Sequence, residues 1–310
     1  MVFEIILAAS TLLAGIALLA YSSDKAVEHT VTMASRLRIP PLLIGMVMVS
    51  LGTDLPEIFN SIFSSAAGHG DINVGDSLGS VLAQMTLMLG LIAILGVTIK
   101  VNRDEIIVVG ACELLALIVA VSIVEKGYIS RMNAIFLVAS WPLLMLIIKN
   151  VLKKDYSVSN IDGRLLLHVV VAILGYTGIA VGSYVVINSV ITLSTLLHLD
   201  EYLISFFLVA IGTSLPELAV ELTAVRKKQY EIAIGDAIGS SIIDAGLSIG
   251  IGPLLFPITV SGRLAETTGL YALLVSFIVI LTLALRERLD KKAGIFFIIL
   301  YGLSYAVLSI

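Results

Sequence analysis

The chain has 310 residues, of which 58% are hydrophobic and only 14% charged, with a mean hydropathy of +1.07. So apolar a composition excludes an ordinary soluble globule of this size and makes an all-α membrane protein the expected class. The net charge of −4 is small and spread over connecting segments, which leaves no basic surface for nucleic acid; the single cysteine, Cys112, excludes an intrachain disulfide and a cysteine-based metal cluster.

The first residues, Met1 to Ile5, lack the basic region of a cleaved signal, so residues 3–21 read as a retained first span. The next stretch, 22–39, carries Asp24, Lys25, Glu28, His29, Arg36 and Arg38 and reads as an amphipathic surface helix. Further apolar runs of spanning length fall at 40–67, 74–98, 105–124, 132–149, 164–192, 202–225, 232–257, 267–285 and 294–310. With the first run they predict ten transmembrane helices rather than a barrel, because the runs are too long and lack alternation. The longest connection, Lys149 to Arg164, divides the chain into halves, residues 1–155 and 156–310.

The basic residues test that count. If odd-numbered loops lie on one side, they hold 16 of the 19 lysines and arginines, leaving only Lys126, Arg131 and Arg263 on the other. The positive-inside rule then puts both termini outside the cell membrane.

The halves repeat. At a constant offset of 160, Gly52-Thr53-Asp54-Leu55-Pro56-Glu57 returns as Gly212-Thr213-Ser214-Leu215-Pro216-Glu217, and Gly75, Asp76, Gly79 and Ser80 return as Gly235, Asp236, Gly239 and Ser240. Five spans per half is an odd number, so the second half is inverted relative to the first. Inverted repeats with interrupted helices are the mark of secondary transporters.

Each hexapeptide lies in the middle of an apolar run, where carboxylates are costly unless they face protein or water. Pro56 lacks an N–H and crowds the carbonyl four residues back, so the helix loosens near Ser50, Leu51 and Gly52, with Ala210, Ile211 and Gly212 the counterparts. Thr53 and Glu57 are four apart and share a helical face. Together the halves supply two glutamates, two threonines and several carbonyls, an all-oxygen anionic cage suited to Ca²⁺. Ser80 and Ser240 add hydroxyls, and one turn on come Gln84 and Asp244 at the same offset. Asp76 and Asp236 read as helix N-caps. Glu221 reads equally as a vestibule group or a structural one, and Glu113 beside Cys112 as structural. His29, His69, His168 and His198 fall near span ends and read as interfacial groups; Trp141, Tyr176 and Tyr271 need no role beyond packing.

The paired hexapeptides and the paired Gly-Asp-x-x-Gly-Ser motifs, in ten spans, resemble the cation/Ca²⁺ antiporter superfamily, and within it the prokaryotic sodium/calcium exchangers. That resemblance covers essentially the whole chain. It implies a core of spans two, three, seven and eight, against which spans one and six slide. It also implies that Glu57 and Glu217 are ligands shared by Ca²⁺ and Na⁺. Thr53, Thr213 and Ser214, with the carbonyls of Ser50 and Ala210, would complete the sites, and Ser80, Ser240 and Asp244 would add oxygens. The chain departs from the family pattern at Asp54, where serine is usual, at Gln84, where asparagine or aspartate is usual, and at Asp76 and Asp236, where asparagine is common. Four carboxylates, Asp54, Glu57, Glu217 and Asp244, cannot all ionise together without bound cations, so the counter-ion is either Na⁺ or H⁺.

The expected activity is therefore Ca²⁺ antiport, with Na⁺ favoured over H⁺, no cofactor, the lipid bilayer as surroundings and no obligatory protein partner. A cation channel is the other class weighed; inverted halves with unequal buried ligands suit a carrier better. The sequence Gly75-Asp76-Ser77-Leu78 also spells a serine-hydrolase signature, but no α/β pattern follows it. The repeated Gly-Asp motifs read Asn-Val-Gly-Asp and Ala-Ile-Gly-Asp, not the Gly-x-Gly-Asp of an intramembrane aspartyl protease, and no nucleophile–base pair suggests an enzyme.

Overall fold

The computed structural model describes residues 2–37, 40–96, 98–152, 165–194, 202 and 205–308. Helix α1, Val2–Leu37, is one helix of 36 residues. At 1.5 Å per residue it is about 54 Å long, well beyond the ~30 Å apolar core of a bilayer. The expected surface helix is therefore the continuation of span one as far as Leu37: no glycine or proline interrupts 22–37, and the pair Pro40-Pro41 follows. His198 and the connection carrying Lys153, Lys154, Asp155 and Arg164 lie outside the described residues.

Two bent pairs follow the hexapeptides. Helices α2 (Pro41–Thr53) and α3 (Leu55–Ala67) meet at 45°, and α8 (Ser205–Thr213) and α9 (Leu215–Arg226) at 44°. The hinge residues Asp54 (φ −76°, ψ 4°) and Ser214 (φ −81°, ψ 5°) leave the helical region, and Pro56 and Pro216 sit in the first turn of the second segment. A proline there needs no amide partner, so the break is made where it costs least. Helices α4 (Gly70–Leu95) and α10 (Tyr230–Leu255) are the long partners of these pairs. All four elements carry wide π turns at matching places, Gly45–Val49 and Ser205–Val209, Ala83–Met88 and Asp244–Ser248. Such turns recur at functional sites because they re-aim side chains.

Around these pack α5 (Arg103–Val124), α6 (Arg131–Val151), α7 (Leu165–Ser194), α11 (Gly262–Arg286) and α12 (Lys291–Leu308). Asn102 caps α5 by accepting from the amides of Asp104 and Glu105, and Asp290 caps α12 by accepting from Ala293 at 3.0 Å. Two antiparallel ribbons tie the connections: β1 (Ile99–Lys100) with β4 (Arg288–Leu289), and β2 (Tyr128–Ile129) with β3 (Ile258–Thr259).

Among the described residues, five helices are long and apolar enough to cross a membrane, or seven if each bent pair counts once. The outer surface is apolar, with Phe63, Phe136, Leu166 and Leu285 exposed, while Ser50, Thr53, Glu57, Thr213 and Glu217 are buried. This inside-out polarity is that of a multi-pass membrane protein, which keeps polar groups within the bundle. The halves interlock: α2 packs on α10, and α8 on α4. A Cβ on Gly239 would stand 2.5 Å from Met46 Cα, and one on Gly79 would stand 2.1 Å from the Phe206 carbonyl oxygen. Only glycine permits backbones that close.

Candidate cation site

The hinges of the two bent pairs face one another in the middle of the bundle. Asp54, Glu57 and Glu217 are fully buried, and each offers an oxygen that lies within 4.8 Å of the others. None of their six carboxylate oxygens has a hydrogen bond, and no lysine, arginine or histidine pairs with them among the described residues. Like charges at this separation, out of water, require a cation or a proton to be stable. The hydroxyls of Ser214 and Ser240 are also buried without partners.

The other expected residues surround this centre and are engaged. Thr53 Oγ1 lies 3.2 Å from the Ser50 carbonyl, and Thr213 Oγ1 lies 3.1 Å from that of Ala210. The amides of Asp54 and Ser214 donate to the same two carbonyls at 2.9 and 3.0 Å. Those carbonyls are thus occupied rather than freed by the hinge, a difference from the sequence-based expectation. The loosening instead falls on Gly52, whose usual donor is replaced by the nitrogen of Pro56. Ser80 Oγ lies 3.3 Å from Thr213 Oγ1. Gln84 Nε2 donates to Asp244 Oδ2 at 3.0 Å, and Gln84 Oε1 accepts from Ser241 Oγ at 3.0 Å; Asp244 Oδ1 has no partner.

Asp76 and Asp236 are not N-caps. Helix α4 begins at Gly70 and α10 at Tyr230, which places both aspartates mid-helix. Each reaches across to the other half: Thr213 Oγ1 donates to Asp76 Oδ1 at 3.0 Å, and Ser50 Oγ lies 3.2 Å from Asp236 Oδ1. Asn60, which motif reading passed over, donates to Asp76 Oδ2. Its only signal in the sequence is an amide one turn beyond Glu57 in an apolar run. Valine stands at the corresponding place in the second half, Val220, and Asp236 Oδ2 has no partner. Glu221 is fully buried with both oxygens unpartnered, as is Glu113 away from the hinges on α5.

Tyr176, on α7, has a role that packing alone did not suggest. Its ring packs against Gly52, so close that a Cβ there would be 2.3 Å from it, and its hydroxyl is 2.9 Å from Thr30 Oγ1 on α1. Helices α1 and α7 together thus press an aromatic plate on the first hinge.

A membrane-embedded bundle whose broken helices bury unpaired carboxylates face to face belongs to the class of ion transporters rather than enzymes. The chain is a member of the sodium/calcium exchanger family: the family model described as "Sodium/calcium exchanger protein" matches residues 7–149 and 167–310. The inner membrane protein YrbG of Escherichia coli K12 is 33% identical over 269 residues, covering 81% of each chain. The sodium/calcium exchanger MaX1 of Methanosarcina acetivorans is 25% identical, covering 94% of this chain and 95% of its own. Solved structures of the sodium-calcium exchanger NCX_Mj superpose with a TM-score of 0.80 at 26% identity, over 97% of this chain and 98% of that one, in a crystal soaked with Na⁺ and Sr²⁺.

Proposed function

We propose that the protein exports Ca²⁺ in exchange for Na⁺ by alternating access, binding both ions midway between two inverted five-helix repeats, residues 1–155 and 156–310. The observation that carries this reading is the unpaired carboxylate trio Asp54, Glu57 and Glu217 at the facing hinges. Glu57 and Glu217 are the ligands common to both ions. Thr53, Thr213, Ser214, Ser80, Ser240, Asp244 and Gln84 supply further oxygens, and the Ser50 and Ala210 carbonyls join when the threonine hydroxyls turn toward an ion. Ca²⁺ favours six to eight oxygens and Na⁺ fewer charges, so the same cage trades one for the other. Coupling follows because an empty, fully charged cage is too costly to carry across the bilayer.

The connections support ten spans with inverted halves. With spans numbered as in the sequence, β1–β4 joins loops three and nine, β2–β3 joins loops four and eight, Lys227–Asp24 joins loop seven to the end of span one, and Asp71–Ser261 joins loops two and eight. Every pairing is odd with odd or even with even. The excess of lysine and arginine on the odd side makes it cytoplasmic, with both termini outside.

Asp54 favours one second reading, exchange of Ca²⁺ for H⁺, since it adds a third carboxylate to the trio. Vesicles loaded with Ca²⁺ and given either a Na⁺ or a pH gradient decide between them. The proposal requires Ca²⁺ flux only with a counter-ion on the opposite side, and faster flux with Na⁺; flux without any counter-ion is channel behaviour and refutes it.

A further inference from the structure

Near one end of α1 and α7, away from the carboxylate trio, two histidines that sequence reading left as separate interfacial groups meet. His29 Nδ1 and His168 Nδ1 are 2.8 Å apart, with ring centroids at 4.9 Å, and both rings are half-buried. Two Nδ1 atoms at this distance share a single proton: one ring donates it, and the other, unprotonated at that nitrogen, accepts. Next to Glu28, the residue before His29, opens a cavity of roughly 490 Å³ lined by Asp24, Glu28, Lys227 and Gln229. Glu28 is the residue next to His29 and its electrostatic neighbour, and it faces the cavity; Lys25 and Lys227 hold its carboxylate at 3.2 and 4.0 Å.

We propose that His29 and His168 form a binding site for a borderline transition-metal cation of the Zn²⁺ class, bridging α1 and α7, with water completing the shell. Zinc binds imidazole nitrogen at about 2.0–2.1 Å in tetrahedral geometry, which sets the two nitrogens about 3.3 Å apart. The rings therefore part by about half an ångström as the metal takes the place of the shared proton. Calcium is not the ligand here, because it takes oxygen and not imidazole donors.

Such a metal pins α1 to α7. Eight residues along α7 from His168, Tyr176 covers Gly52 and is held by Thr30, the neighbour of His29. Fixing the two helices keeps that plate in place, so Zn²⁺ slows transport without entering the carboxylate trio. This consequence rests on the antiport reading, whereas the metal site itself does not.

Binding is tested first, by titrating Zn²⁺ into purified protein carrying Glu57→Gln, which disables the carboxylate trio. Binding persists in that background and weakens at least about tenfold on adding His29→Gln or His168→Gln, since even outer-shell losses cost this much. Unchanged binding in both histidine variants, each checked for a native thermal melt, overturns the site. Inhibition of Ca²⁺ flux by Zn²⁺ in vesicles, non-competitive with Ca²⁺ and relieved by His168→Gln, tests the clamp separately. Competitive inhibition that survives that variant overturns the clamp and leaves the binding result standing.

Discussion

Gln84 and Asp244 stand 160 positions apart, at the same place in the two halves, and meet with Gln84 Nε2 3.0 Å from Asp244 Oδ2. The two-fold relation thus brings an amide against a carboxylate where full symmetry would set two like groups together. Asp244 keeps Oδ1 free, and in the proposed site this is the atom that would face a cation. In Asp244→Asn the amide pairing survives while one charge is lost. Ca²⁺ flux is expected to fall about tenfold, equivalent to about 1.4 kcal/mol of binding. The thermal melt without Ca²⁺ should stay near that of the parent; an unaltered flux removes Asp244 from the site.

Asp54 provides the test of proton involvement. Replacing it with serine leaves two carboxylates, Glu57 and Glu217, at the centre. Na⁺-driven Ca²⁺ flux measured from pH 6 to 8 should depend less on pH in Asp54→Ser than in the parent. The same pH profile in both proteins excludes Asp54 as a proton carrier.

Gly79 and Gly239 make the interlock of the halves possible. In Gly79→Ala the new Cβ meets the Phe206 carbonyl oxygen at 2.1 Å, a fixed backbone atom. Overpacking of this kind costs about 1–3 kcal/mol. A lowered melting temperature in detergent is expected for Gly79→Ala and Gly239→Ala, whereas Gly302→Ala, where nothing lies within 4 Å, should melt like the parent.

Asp290, in the connection before α12, accepts from the amide of Ala293 and pairs with Arg286 at 2.7 Å and Arg288 at 3.2 Å. The Ala293 amide first, then the two guanidinium groups, hold its carboxyl below the usual carboxylate range. A lowered folded pKa stabilises the fold at pH above the ordinary carboxylate value, and that contribution is lost as pH falls through the folded pKa. Asp290→Ala should therefore cost about 1 kcal/mol at pH 7 through the lost cap and progressively less in acid. Thermal melts at pH 7 and at about pH 2, below the ordinary carboxylate value, read the difference; equal losses at both pH values contradict the charge-based account.

Much of this architecture is written in the residue pattern because the bilayer imposes few choices. A proline and a glutamate inside an apolar run predict a broken helix, and Pro56 and Pro216 make one at each predicted place. Gly79 and Gly239, which the repeat singles out, are the places where backbones of the two halves close. What stayed hidden depends on helix ends and on long-range neighbours. The charges at 22–37 suggested a break that α1 does not have, since polar residues do not end a helix when no glycine or proline interrupts them. An early start of α4 and α10 turned Asp76 and Asp236 from caps into cross-half acceptors. Tyr176 over Gly52 and His29 beside His168 are contacts between helices far apart in sequence, carried by no local motif.

The central claim concerns one cage of oxygens at two facing hinges, and equilibrium binding of radioactive Ca²⁺ to the purified protein addresses it most directly. Saturable Ca²⁺ binding that Na⁺ displaces, and that both Glu57→Gln and Glu217→Gln abolish in otherwise folded protein, is the predicted result. Ca²⁺ binding at parental affinity in either variant contradicts it.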